Sequence, residues 1–158
     1  VSIGTLSRKA LRRILADVLL ETLSGAQQVA HIRLDAVPQG VEDRGFALEG
    51  FRSRDDISRK RRGTSILKRH VVTIKYAKRL GTAHDIEDDR AVAEDDVDGI
   101  ERAIRDSSAP STVEYSCDSF DSDETVDPTG EWLIVTITAE ILCQFKLRGP
   151  DEAPEAQQ

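Results

Sequence analysis

The stretch "EWLIVTITAEILCQFKL", residues 131–147, limits the possible folds more than any other part of the chain. Its odd positions, Leu133, Val135, Ile137, Ala139, Ile141, Cys143, Phe145 and Leu147, are all apolar, while Thr136, Thr138, Glu140, Gln144 and Lys146 hold even ones. Period two over this length specifies a long strand with one face in a core and the other largely polar. Such a strand needs a partner of similar length and a layer over its apolar face. A second long strand reads in "ILKRHVVTIKYAKRL", residues 66–80, with Val72, Ile74 and Tyr76 on one side and Val71, Thr73 and Lys75 on the other. Its β-branched content suits a pleated, half-buried surface.

Two helical segments supply the cover. In "SRKALRRILADVLLETLSG", Leu11, Ile14, Leu15, Val18, Leu19 and Leu23 recur at three- and four-residue steps. Thr5 or Ser7 can cap the start, and Gly25 follows the end. Arg8, Lys9, Arg12 and Arg13 crowd its first turns, where the helix dipole disfavours cations. In "DDRAVAEDDVDGIERAIRD", the stripe is Ala93, Val97, Ile100 and Ile104, with acids early and Arg102 and Arg105 late, as the dipole prefers.

The remaining elements are shorter. "QVAHIRLDAV", residues 28–37, alternates as a strand that ends at Pro38 and Gly40, and "GFALEGF" is a second, short strand. "STVEYSCD" is a third, followed by a loop, "SFDSDETVDPTG". The order is helix, two strands, basic loop, long strand, helix, strand, long strand. The expected fold class is α+β: a mainly antiparallel sheet with both helices packed on its apolar face. At 158 residues one core suffices. Residues 1–148 form a single domain in this reading, and residues 149–158, "GPDEAPEAQQ", are a disordered acidic tail.

Charge is segregated. The chain carries a formal net charge of -7, yet residues 44–79 are basic and "HDIEDDRAVAEDDVDGIERAIRD" and "DSFDSDETVDP" are acidic. Complementary patches set orientation and partner choice, which suits an oligomer or a larger assembly. Long strands at a sheet edge are also an aggregation liability that a second copy can cover.

The element order resembles that of the tail-terminator (tail-completion) proteins of tailed bacteriophages. The resemblance is carried by "LSRKALRRILADVLLETL", "HVVTIKYAKRL" after a charged loop, "VDGIERAIRD" and "EWLIVTITAEILCQF", and spans residues 5–147. It implies a structural virion protein, active as a homo-oligomeric ring, typically sixfold, that caps the tail tube and meets the head-side connector or stopper. Genomic DNA would pass through the lumen without specific binding, and the chain would reside in the virion neck after assembly in the host cytoplasm. Other head-to-tail components, a stopper or a tail-tube-like subunit, share this reading. From a different class, a cytoplasmic nucleic-acid or anion-binding module would use the basic loop.

That loop, Arg52, Arg54, Arg59, Lys60, Arg61 and Arg62, is the main candidate site. Docking onto an acidic neighbour is its first reading, a solvated loop the second and sequence-independent phosphate contact the third, because the chain is acidic overall and no aromatics interleave. Trp132 either anchors a neighbouring subunit or packs under a helix or loop of its own chain. Asp118, Asp121 and Asp123 lack the glycine and glutamate of a calcium loop and read as an exposed turn. His31, His70 and His84 are scattered, the first two on expected strands. His84 beside Asp85 reads as an exposed pair. Cys117 and Cys143 read as small buried hydrophobes. No catalytic residue, cofactor, metal or membrane partner is expected.

Replacing Arg59, Lys60, Arg61 and Arg62 together with Ser is predicted to leave the thermal midpoint within about 2 °C, since surface changes of this kind cost little. The same variant should join heads to tails less efficiently, read by counting joined particles in micrographs.

Overall fold

The computed structural model describes residues 7–55, 65–81, 85–107 and 115–146. The elements in chain order are α1 (Arg8–Thr22), β1 (Gln27–Val29), β2 (Arg44–Asp55), β3 (Ser65–Arg79), α2 (Ile86–Ser107), β4 (Tyr115–Val126) and β5 (Trp132–Lys146). The strands form one sheet in the order β1-β2-β3-β5-β4. Only the β1–β2 pairing is parallel. The fold is α+β, a five-stranded, mostly antiparallel sheet with two helices packed on it.

Every residue of β3 pairs with one of β5, from Ser65↔Lys146 to Arg79↔Trp132. Even residues of β3 therefore share a face with odd residues of β5. Val72, Ile74 and Tyr76 join Leu133, Val135, Ile137, Ile141 and Cys143 in the main core. Onto it α1 lays Leu11, Leu15 and Leu19, all fully buried, and α2 lays Ala93, Ile100 and Ile104. Truncating one such leucine would cost about 2–5 kcal/mol through lost contacts and the cavity left behind.

Helix ends follow the expected chemistry. Ser7 Oγ accepts the Ala10 N–H at 3.1 Å, and Asp85 Oδ1 accepts that of Asp88 at 2.9 Å, so each cap satisfies an otherwise orphan donor. The cations of α1 have no acid in their first turn. Arg12 instead donates to the Leu48 carbonyl at 2.9 Å and lies 4.9 Å above the Phe51 ring.

Two polar clusters fasten α2. Arg44 grips Asp96 with two hydrogen bonds, of 2.8 and 2.9 Å, and the Tyr76 hydroxyl donates to the same carboxylate. Burial, and then that carboxylate, push the Tyr76 phenol pKa well up, so it remains a donor at all ordinary pH values. In the first turn of α2 the buried Asp89 lies 3.5 Å from the buried Lys78 ammonium, which also meets Asp43 at 2.7 Å.

Four sequence expectations are corrected. Residues 28–37 are not one strand: β1 takes only Gln28 and Val29 of them, and the chain then crosses the sheet face opposite the helices. There Ile32 and Val41 pack with Ala47, Ala77, Trp132 and Ile134 in a second core. His31 is accordingly in a loop segment, 2.6 Å from Glu49. The short "GFALEGF" strand is instead twelve residues long, so Arg52 and Arg54 are strand residues rather than loop residues. "SFDSDETV" is likewise strand, not loop, and places Asp118, Asp121 and Asp123 on β4 instead of in a turn. Acids are depleted in strands generally but protect exposed edges, which is why this edge strand reads as a loop. His84 lies outside the described residues.

Gly45 is required by the sheet. A Cβ there would stand 2.6 Å from Val41 Cγ2 and 2.9 Å from the Gln27 carbonyl oxygen, so only glycine lets β1 approach β2. Among the described residues no helix is long and apolar enough to cross a membrane.

The β4–β5 connection depends on Asp127, 3 % exposed. Its carboxylate accepts the Thr129 hydroxyl at 2.7 Å and the N–H groups of Trp132 at 3.0 Å and Glu131 at 3.1 Å. Burial by itself would raise its pKa, but these donors outweigh burial and hold it below the usual carboxylate range. A depressed native pKa contributes stability above the unfolded value of about 3.9, lost as pH falls through the native one. Asp127→Ala is predicted to cost about 1–3 kcal/mol at pH 7 by urea denaturation. The deficit relative to the parent should shrink below about pH 4.

Candidate assembly surface

The sheet has two margins that no described strand covers. On one side β4 pairs only with β5, leaving its outer edge bare. On the other, β1 covers only Gly45, Phe46 and Ala47 of β2. Arg12 occupies the Leu48 carbonyl, and beyond it no described strand pairs with the outer edge of residues 50–55.

Each margin contains a bulge that resets which side chains face the helices. In β2 the register shifts between Leu48 and Gly50, so Leu48 and Phe51 both pack toward the main core. Arg52 and Arg54 consequently project from the opposite face, and both are exposed. In β4 the shift falls between Cys117 and Ser119, so Cys117 and Phe120 both face the core. Asp121 and Asp123, opposite Thr138 and Thr136, project from the same outer face as the two arginines and are also exposed. Among the described residues, Arg52, Asp121 and Asp123 make no side-chain ion pair or hydrogen bond, and Arg54, 64 % exposed, reaches Glu140 only at 4.0 Å.

Between these margins an ionic cluster crosses the outer face. Arg69 Nη1 lies 2.8 Å from Asp118 and 3.0 Å from Glu140. It links β3 to β5 and to the bulge of β4. Further along, Lys75 donates to the Ile32 carbonyl at 2.9 Å and lies 3.1 Å from Glu49, which also accepts the Ile32 N–H at 2.8 Å. The outer face is thus covered by residues 30–43 at one end and carries exposed charged side chains at the other.

Of the sequence candidates, Arg52 and Arg54 lie at one margin, whereas Arg59, Lys60, Arg61 and Arg62 lie outside the described residues. Trp132 is 4 % exposed and packs under its own chain's crossing segment, the second of the two placements its position allowed. Cys117 is half-buried and Cys143 buried, both as free thiols, and burial pushes the Cys143 thiol up to about 11. The sequence did not single out Arg69, Asp118 and Glu140 as a cluster. Asp121 and Asp123 stand out in the sequence, but without a bulge their common face with Arg52 and Arg54 has no signature. Beside β4, Glu94, Val97 and Asp98 of α2 line a shallow groove with Ser122 and Glu124, so acidity continues around that margin.

Compared by sequence, the chain matches no protein-family model and no curated protein. By structure it is similar to a chain of the virion of a native gene transfer agent (GTA) particle, with a TM-score of 0.54 at 12 % identity. The match covers 85 % of this chain and 94 % of that one, so the two share a fold over nearly their whole lengths.

Beneath the open half of β2 lies His70, 4 % exposed, with Nδ1 2.6 Å from Ser53 Oγ and Nε2 buried without a hydrogen-bond partner. Burial, then the charges of Arg8 and Lys68, lower its pKa. The unfolded chain therefore takes up a proton near pH 6.5 before the folded one does, so stability present above that value is lost as pH falls toward the lower native pKa. His70→Gln is predicted to remove that part of the fall in urea midpoint between pH 7.5 and pH 5.

Proposed function

We propose that this chain is a non-enzymatic structural protein of a phage-like virion, and specifically a tail terminator. In that role it forms a homo-oligomeric ring, sixfold in the usual form of the family it resembles. The ring caps the tail tube and presents its other side to the head-side connector or stopper. The observation that supports this most is the shared fold with a chain of a gene transfer agent virion, which extends over 94 % of that chain and so is not confined to a common substructure. The order of elements, read independently from the sequence, leads to the same class.

Charge fits the role. A net charge of -7 on each copy keeps a ring of them from gripping a polyanion, so DNA can slide through its lumen. The arginines at the β2 margin then serve protein contacts, where complementary charge sets orientation.

Labelling the chain with gold-tagged antibody in purified particles tests the reading. The label should lie at the head–tail junction, and cells lacking the chain should yield unjoined heads and tubes of uncontrolled length. Absence of the chain from particles, together with a monomer whose DNA affinity falls steeply with salt, would replace this reading with that of a nucleic-acid-binding module.

A further inference from the structure

We propose that the two open margins are the two halves of one contact between neighbouring copies. The outer edge of β4, residues 119–126 of one copy, pairs antiparallel with residues 50–55 of the next. Asp121 and Asp123 of the first copy then meet Arg54 and Arg52 of the second. The inference rests on the ring reading above and identifies its interface.

Three features of the fold lead to this pairing. The first is phase. The arginines are two residues apart, the aspartates are two residues apart, and both pairs project from the face opposite the helices. Joined edge to edge, the two sheets keep their helices on one side and bring the four charges together on the other. Antiparallel register sets Asp121 across from Arg54 and simultaneously Asp123 across from Arg52, the arrangement in which opposite charges support a sheet.

The second is direction. Each step from β2 to β3, to β5 and to β4 reverses the chain, so β4 runs antiparallel to β2 within one copy. A copy rotated about an axis along the strands keeps its strand directions. Its β2 therefore meets the neighbour's β4 antiparallel, which continues the pattern of the sheet.

The third is exclusion of the alternatives. A twofold contact through β4 centred on Ser122 sets Asp121 and Asp123 against their own copies, and one through β2 centred on Ser53 sets Arg52 and Arg54 against theirs. Like charges directly opposite are destabilising. The head-to-tail contact instead pairs all four charges with opposite ones, and a head-to-tail contact generates a ring when its rotation closes. The contact is also bounded: Arg12 holds the Leu48 carbonyl and β1 covers residues 45–47, so pairing cannot run further along β2.

The test is a charge exchange. One variant carries Arg52→Glu and Arg54→Glu, so both of its margins are acidic; the other carries Asp121→Arg and Asp123→Arg, so both are basic. Each alone should self-associate about 100-fold or more weakly than the parent in sedimentation equilibrium. An equimolar mixture should assemble again, because the acidic margin of one fits the basic margin of the other. Far-UV circular dichroism should stay at the parental signal, and the milder pair Arg52→Ser and Arg54→Ser should weaken assembly in the same direction. If the parent assembles and the variants assemble equally well, or the mixture stays monomeric, the edge assignment is overturned while the ring stands. A parent that remains monomeric at millimolar concentration overturns both.

Discussion

The register between β3 and β5 is the constraint on which the rest of the structure depends. Both strands are fifteen residues long and every residue of one pairs with a residue of the other. Side chains alternate with period two, so a slip of one residue would put Lys75 and Thr73 under the helices and send Ile74 and Val72 into solvent. No such slip is tolerable with two helices waiting on one face. On this pair β2 adds to the free side of β3 and β4 to the free side of β5. The two helices then have a single apolar surface to cover, and Arg44, Asp96 and Tyr76 fix where α2 lies on it.

Legibility in the sequence follows from the same period. β5, β3 and both helices are plain because each keeps one phase from end to end. The two outer strands are not plain, because each carries a bulge. Across the bulge in β2 the core-facing positions change from even, at Phe46 and Leu48, to odd, at Phe51. Read with a fixed period, the strand ends near residue 51, and the arginines beyond it look like loop. In β4 the core positions run Cys117 and then Phe120, an interval of three that matches no strand template. With acids on the solvent side, such a segment reads as a turn. The segment after β1 misled in the opposite way. "HIRLDAV" alternates convincingly, yet only Ile32 of it packs on Trp132 and Ile134 from the far side of the sheet, while Leu34 and Val37 stay exposed and the segment does not join the ladder.

Covering that second face explains the distribution of charge across it. Where residues 30–43 cross, the buried polar groups are paired: Glu49 serves the Ile32 N–H, His31 and Lys75 together. Isolated charges there would be costly, and each has a partner. Where the crossing segment stops, water takes over, and the face can carry Arg52, Arg54, Asp121 and Asp123 in the open. Burial on one half of the face is thus what confines unpaired charge to the other half and to the margins.

The margins themselves are short, and that bears on how a ring of such chains would behave. A junction of about six paired residues is modest beside the translational and rotational freedom that two free chains lose on association. Each added copy gains one such contact until the last, which gains two. Closure therefore stabilises the ring by a contact whose association cost has already been met, since the final pairing is intramolecular and proceeds at a high effective concentration. Open arcs are the weak species, closed rings the strong one. Opposite charge on the two margins sharpens that difference, because an arc would end in one acidic edge and one basic edge that attract each other across the gap. Screening by salt acts most on such exposed charges, so added salt should loosen arcs before it loosens rings.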